Sequence, residues 1–194
     1  MKYLMPNIHE ILKPMGIKGI HPAAELFPMM DQDAFTALCE SIQEFGLEQE
    51  VVLTHDGYLI DGRNRLMACY LTGHELCHIK LGEAYSGNYI DYSLRVNLHR
   101  RHLTASQKST LAVEVEKLYA EEAKERLSKA TAENNKKRAN DPIIQENPIP
   151  PILGESGYSK NESAKKAAEA IGVSHGYVSD AKKIQKEAPE AFEA

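Results

Sequence analysis

Between Asp31 and Phe45 the apolar residues Phe35, Leu38, Ile42 and Phe45 recur at helical spacing, which gathers them on one face of a helix. Gly46 is placed to end it. Two β-favouring runs follow, Val51-Val52-Leu53-Thr54 and Tyr58-Leu59-Ile60, on either side of a turn containing Asp56-Gly57, and this arrangement predicts a hairpin. Gly62 breaks the second run, after which Leu66, Cys69 and Tyr70 take up helical spacing in a helix expected to close near Gly73. Cys77 to Leu81 reads as a further strand and Asn88 to Leu98 as a further helix. The fold class expected over residues 1–100 is mixed α/β (α+β).

Thr104-Ala105-Ser106-Gln107 has the spacing of a capping box, in which the two outer side chains satisfy free amides of a first helical turn. Leu111, Val115 and Leu118 continue one apolar stripe from that start, predicting a long connecting helix over residues 101–128. From 129 to 160 the periodicity fails, with Asn134-Asn135 and the prolines Pro148, Pro150 and Pro151, as in a linker or flexible loop. Periodicity returns in residues 161–194, where Ala167, Ala168, Ile171, Val173, Val178 and Ala181 supply the small and apolar positions of two short crossing helices. Gly172 stands at the turn and Ser174 is placed to cap the second helix. If this pair is a DNA-reading helix-turn-helix, Ser174, His175, Gly176, Ser179, Asp180 and Lys183 face the major groove, with Lys165, Lys166, Lys182 and Lys186 beside phosphates. An ordinary helical hairpin shares the same packing grammar.

A net charge of −5 over 194 residues argues against a uniformly basic nucleic-acid binder. Its distribution alters that. Acidic residues dominate the first half, whereas basic ones gather in Arg100-Arg101, Lys136-Lys137-Arg138, Lys165-Lys166 and Lys182-Lys183. Three cysteines without CxxC spacing, Cys39, Cys69 and Cys77, fit core packing better than a disulfide framework or zinc site. No apolar stretch approaches the roughly 18 residues of a membrane span, so a cytoplasmic location is expected.

The most chemical stretch is Ile60-Asp61-Gly62-Arg63-Asn64-Arg65, where a strand runs into a helix. Free amides and the positive end of the helix dipole favour an anion there, glycine lets backbone come close, and arginine can grip phosphate oxygens by two parallel bonds. A second basic segment, Asn97-Leu98-His99-Arg100-Arg101, ends the later predicted helix. Together the two segments would frame a phosphate chain, with the Asn97 carbonyl oxygen as a weak neutral ligand for magnesium.

Several stretches in order resemble the ParB and sulfiredoxin-like superfamily: His21-Pro22-Ala23-Ala24-Glu25-Leu26-Phe27-Pro28, Ser41-Ile42-Gln43-Glu44-Phe45-Gly46-Leu47, Gly62-Arg63-Asn64-Arg65-Leu66-Met67-Ala68, and Asn97-Leu98-His99-Arg100-Arg101-His102-Leu103. The resemblance runs from His21 to about Leu127, and a helix-turn-helix unit follows as in ParB proteins. It implies a mixed-sheet domain that binds a nucleotide, CTP in the partition proteins, with Mg2+. Gly62, Arg63, Asn64, Arg65, Arg100 and Arg101 would then meet the phosphates and Asn97 the metal. It further implies DNA as a partner, a homodimer, association with nucleoid or plasmid, and a role in partition or related transcriptional regulation. Arg63 and Asn64 stand where the family turn usually has glutamate and then arginine, and Val96 where a glutamate precedes the asparagine. Those departures point to a site that holds a nucleotide rather than one that cleaves it, leaving weak nucleoside triphosphatase (CTPase) activity open.

Relatives on the same fold offer other chemistries. A sulfiredoxin needs a cysteine in the glycine-arginine turn, where this chain has Asn64. A small-molecule kinase of the free-serine type needs a carboxylate base, for which Glu25 or Asp61 is placed, and a ParB-like nuclease would have to use His99 and His102. A helix-turn-helix regulator without nucleotide binding is the remaining alternative.

Overall fold

The computed structural model describes residues 3–81, 87–98, 103–139 and 160–188. They hold eight helices and one four-stranded mixed sheet, divided between two units, Met1–His102 and Leu103–Ala194. The expected mixed α+β class is what the chain adopts, with an all-helical second unit.

In the first unit, α1 (Ile8–Leu12), β1 (Gly19–Ile20) and α2 (Pro22–Glu25) precede α3 (Gln32–Phe45), and β2 (Val51–Leu53), β3 (Tyr58–Asp61), α4 (Arg63–Thr72), β4 (His78–Lys80) and α5 (Tyr89–Leu98) follow. Asp31 caps α3 by accepting from the Ala34 amide at 2.8 Å, and Gly46 closes it. The apolar stripe read from the sequence packs on the core at all but its last position, Leu38 being partly buried there. Phe35 and Ile42 are buried with Cys39, whereas Phe45 at the last turn is exposed.

The sheet order is β1-β3-β2-β4. β2 and β3 form the expected antiparallel hairpin, while β1 pairs parallel with β3 and β4 parallel with β2. The hairpin turn is fastened by buried Thr54, whose hydroxyl donates to Asp56 Oδ1 at 2.6 Å and accepts from the Tyr58 amide at 2.9 Å. Helices α3 and α4 share one core with the central strands, in which Phe35, Leu59, Leu66 and Cys69 are fully buried. Each such large side chain contributes about 1.5–3 kcal/mol by leaving water. β4 lies at the sheet edge with all three residues exposed. Cys77, just before it, is exposed too, which corrects the expectation that all three cysteines pack in the core.

In the second unit, α6 (Ala105–Ala139) is followed by α7 (Lys160–Ile171) and α8 (His175–Glu187). The capping box forms reciprocally: the Gln107 amide donates to Thr104 Oγ1 at 3.2 Å and the Thr104 amide to Gln107 Oε1 at 3.0 Å. Ala112, Val115, Tyr119 and Ala123 bury one face of α6 against α7 and α8, which contribute Ala164, Ala167, Ala168, Ile171, Val178 and Ala181. Gly172 has the left-handed conformation (φ 76°) expected at the turn, and Ser174 caps α8. Helix α6 continues past the expected end at residue 128 to Ala139, where the sequence predicted a linker. The apolar stripe that marks a helix in sequence stops at Ala123, yet the residues beyond are good helix formers joined by ion pairs one turn apart, Glu125 with Lys129 and Glu133 with Lys137. Pro148, Pro150 and Pro151 lie outside the described residues. Among the described residues no helix is long and apolar enough to cross a membrane.

Candidate functional site

β3 ends at Asp61 and α4 begins at Arg63, so the whole reversal falls on Gly62. It sits at φ 100° and ψ 28°, in the left-handed region, and a Cβ there would come within 2.8 Å of Val51 Cγ1. Both the backbone angle and the close strand therefore require glycine. No side chain caps α4, and its first intrahelical bond runs from the Leu66 amide to the Gly62 carbonyl at 2.9 Å. The amides ahead of Leu66 consequently have no acceptor within the helix, which leaves the positive dipole end open to an anion.

This helix start forms one wall of a cavity of about 450 Å³ within the first unit. Gly62, Arg63, Asn64 and Arg65 line it, and Asn97 from α5 lines it from another side, so the two sequence segments meet there at Asn97. Ala24, Phe27, Met30, Leu38 and Ile60 supply apolar surface. A cavity of this size lined by both polar and apolar groups suits a small organic anion.

The arginines are not loose. Arg65 is bonded to Asp61 Oδ2 at 2.8 Å and to Gln49 Oε1 at 3.0 Å, and the Arg65 and Asp61 side chains are only 14% and 11% exposed. Arg63 donates to the Phe27 carbonyl oxygen, tying α4 to the segment after α2. Asn97 Nδ2 donates to the Ser93 carbonyl at 2.9 Å, and Ser93 in turn donates to the Ala23 carbonyl at 2.7 Å, so α5 is fixed against α2. Asn64 carries the site's unmet demand: its Oδ1 is buried without a hydrogen-bond partner. A buried unsatisfied carbonyl costs about 1–3 kcal/mol unless a donor reaches it.

A divalent cation fits this wall only with help. Asp61, the carboxylate in the lining, is committed to Arg65, and among the described residues no group of three or more His, Cys, Asp or Glu side chains could hold a metal. With its Nδ2 bonded to Ser93, Asn97 has a carbonyl oxygen to offer such an ion, the rest of whose shell would come from phosphate oxygens and water. Glu25, the other carboxylate considered as a base, is exposed and does not line the cavity. Arg100, Arg101, His99 and His102 fall outside the described residues.

On α8, Ser174, His175, Gly176, Asp180 and Lys183 are exposed and Ser179 is half-buried. Asp180 and Lys183 lie 3.7 Å apart as a surface pair. Reading the sequence for polar and charged groups missed Tyr177, which is 59% exposed in the first turn of this helix. Its position directly before buried Val178 and three residues past the cap was the available signal. Two lysines expected beside phosphates are instead turned toward α6: Lys182 Nζ lies 2.5 Å from Glu116 Oε1, and Lys166 Nζ stands 4.0 Å above the Tyr119 ring. Burial of Glu116 against the helix pair accounts for the first, and the tyrosine face for the second.

No family model and no curated protein matches the sequence. Among solved structures, one described as a Pnob8-like ParB-N domain is similar at a TM-score of 0.48 and 16% identity, over 89% of this chain. The chain spans 66% of the length of that structure.

Proposed function

We propose that the chain is a ParB-like DNA-binding protein, acting in partition or related transcriptional regulation, whose first unit binds a nucleoside triphosphate at the start of α4. The observation that carries the reading is the cavity wall itself, where Gly62 is sterically required and the first-turn amides lack acceptors within the helix, while the buried Asn64 Oδ1, itself an acceptor, would take a donor from sugar or base. Phosphate oxygens would take the amides and exchange with Asp61 for the Arg65 guanidinium. The apolar side, with Phe27 and Ile60, would take sugar and base. By the sequence resemblance the nucleotide is CTP, carried with Mg2+ partly on Asn97, and the α7–α8 pair reads DNA in a homodimer.

The commitment of Asp61 to Arg65 and the exposed position of Glu25 disfavour a kinase with either as base. The same Arg65 pair favours one competing reading, a DNA-binding regulator in which Arg65 only braces the strand-helix turn. Calorimetric titration of the full chain with CTP, ATP and ADP, with and without Mg2+, separates the two. Binding is expected for a triphosphate, and Arg65→Ala should weaken it by about tenfold or more, since a charged hydrogen bond contributes roughly 1.5–3 kcal/mol. No heat with any nucleotide would sink the proposal in favour of the regulator.

A further inference from the structure

Among the described residues the second half of α6, after Ala123, buries no side chain fully, with only Thr131 and Asn135 half-buried. Ala123 is the helix's last buried residue, and from Lys124 to Ala130 every residue is exposed, as are Lys136 and Lys137 further on. Helix propensity and exposed i,i+4 pairs of about 0.3–0.5 kcal/mol each keep this segment helical without assigning its surface any partner. Its charge is the distinguishing feature. Residues 124–139 hold six basic and two acidic residues, a net +4 in a chain whose total is −5.

The terminal helix pair is a weaker source of positive charge. Residues 160–188 hold six basic and four acidic residues, a net +2. Lys182 and Lys166 there face Glu116 and Tyr119, and Lys165 and Lys183 pair with Glu169 and Asp180 on their own helices. On the arm Lys129 and Lys137 pair in the same way with Glu125 and Glu133, while Lys124, Arg126 and Lys136 have no carboxylate partner among the described residues. At about 100° per residue, Arg126, Lys129, Lys136 and Lys137 fall within about 100° of arc, which also carries Glu133 and leaves Lys124 on the opposite side, and at 1.5 Å per residue they span about 16 Å. A strand of duplex DNA presents one phosphate about every 3.4 Å of axis, so this stripe can meet several. Leu127, Ala130 and Ala132 are scattered around the arm and form no apolar face, which an interfacial membrane helix would need.

We infer that the segment from Lys124 to Lys137 is a basic helical arm that lies along the phosphate backbone of duplex DNA and supplies the sequence-independent part of binding. The inference rests on the reading of the chain as DNA-binding, and it moves the phosphate contacts from the helix pair to α6.

The test uses the full chain in two variants. One carries Arg126→Gln, Lys129→Gln, Lys136→Gln and Lys137→Gln; the other keeps the charge with Lys129→Arg, Lys136→Arg and Lys137→Arg. Fluorescence anisotropy follows a random-sequence duplex at about 50 to 200 mM salt, where each phosphate contact contributes about 0.9 to the slope of log affinity against log salt. The glutamine variant should lose about tenfold or more in affinity and two to three contacts of slope, roughly 2 to 3 in value, while the arginine variant stays near wild type. Duplex binding with unchanged slope in the glutamine variant would overturn the arm and leave the DNA-binding reading standing. Equal loss in both variants would overturn it as well, since shape rather than charge would then matter. So would arm-dependent binding to phosphatidylserine vesicles with no arm dependence on duplex. If the wild type binds no duplex even at about 50 mM salt, both readings fall.

Discussion

Replacing Gly62 by alanine isolates the energetic consequence of running a strand straight into α4. Two effects add. The left-handed φ of 100° costs a residue with a Cβ about 1–2 kcal/mol. The new methyl would also sit 2.8 Å from Val51 Cγ1 and 3.1 Å from both Val51 Cβ and Arg65 Nε. Val51 is fully buried in β2 and cannot swing aside, so overpacking adds about 1–3 kcal/mol. The expected loss is about 2–5 kcal/mol, a large share of the roughly 5–15 kcal/mol that holds a typical domain together. Gly73, at the other end of the same helix, provides the control. Its φ is 69°, but a Cβ there would meet nothing within 4 Å, so Gly73→Ala should lose only the backbone part, about 1–2 kcal/mol. Urea unfolding of both variants, monitored by circular dichroism and by a probe in the first unit, gives the difference at constant m-value. If Gly62→Ala loses no more stability than Gly73→Ala, the close approach of β2 to the helix start is not what selects glycine.

Two further outcomes follow from the same unit. The Asp56 carboxyl is held below its ordinary value near 3.8, first by the Thr54 hydroxyl, so Thr54→Val should raise its pKa toward that value in an NMR titration. Because the folded pKa is the depressed one, the associated stabilisation is present above pH about 3.8 and is lost as pH falls through the lower folded value; an unmoved Asp56 titration would rule out the hydroxyl as cause. Burial pushes the Cys69 thiol up to about 11 and raises Cys39 as well, whereas Cys77 is exposed. At pH 8 a thiol reagent should therefore label Cys77 at once and the other two only on unfolding, and prompt labelling of Cys69 in the native chain would contradict its burial.

What could be read beforehand depended on whether a residue's neighbours lay close in sequence. The α3 stripe, the β2–β3 hairpin and the Thr104–Gln107 box are settled by contacts within a few residues, and each forms where its pattern places it. β1 is only Gly19 and Ile20, too short for any period to register, and exists because β3 offers it a partner. α6 outruns its apolar stripe because helix propensity and surface pairs need no core. At the site, the break at Gly62 between strand and helix was legible, but the grip of Arg63 on the Phe27 carbonyl and of Arg65 on Gln49 arises from chain brought back by the fold. The inward turn of Lys182 was hidden for a related reason, since nothing local to it signals Glu116.

The mixed sheet also imposes an order of assembly. β2 and β3 meet across a turn of a few residues, so the entropy of closing that loop is small. The outer pairs must close far longer loops, Gly19 onto Tyr58 on one side and Val51 onto His78 on the other. Each adds to one strand of the hairpin, β1 to β3 and β4 to β2. A chain emerging from synthesis therefore carries β1 unpaired until β3 has appeared, whereas the close approach of Val51 that selects glycine at position 62 arrives with the hairpin itself.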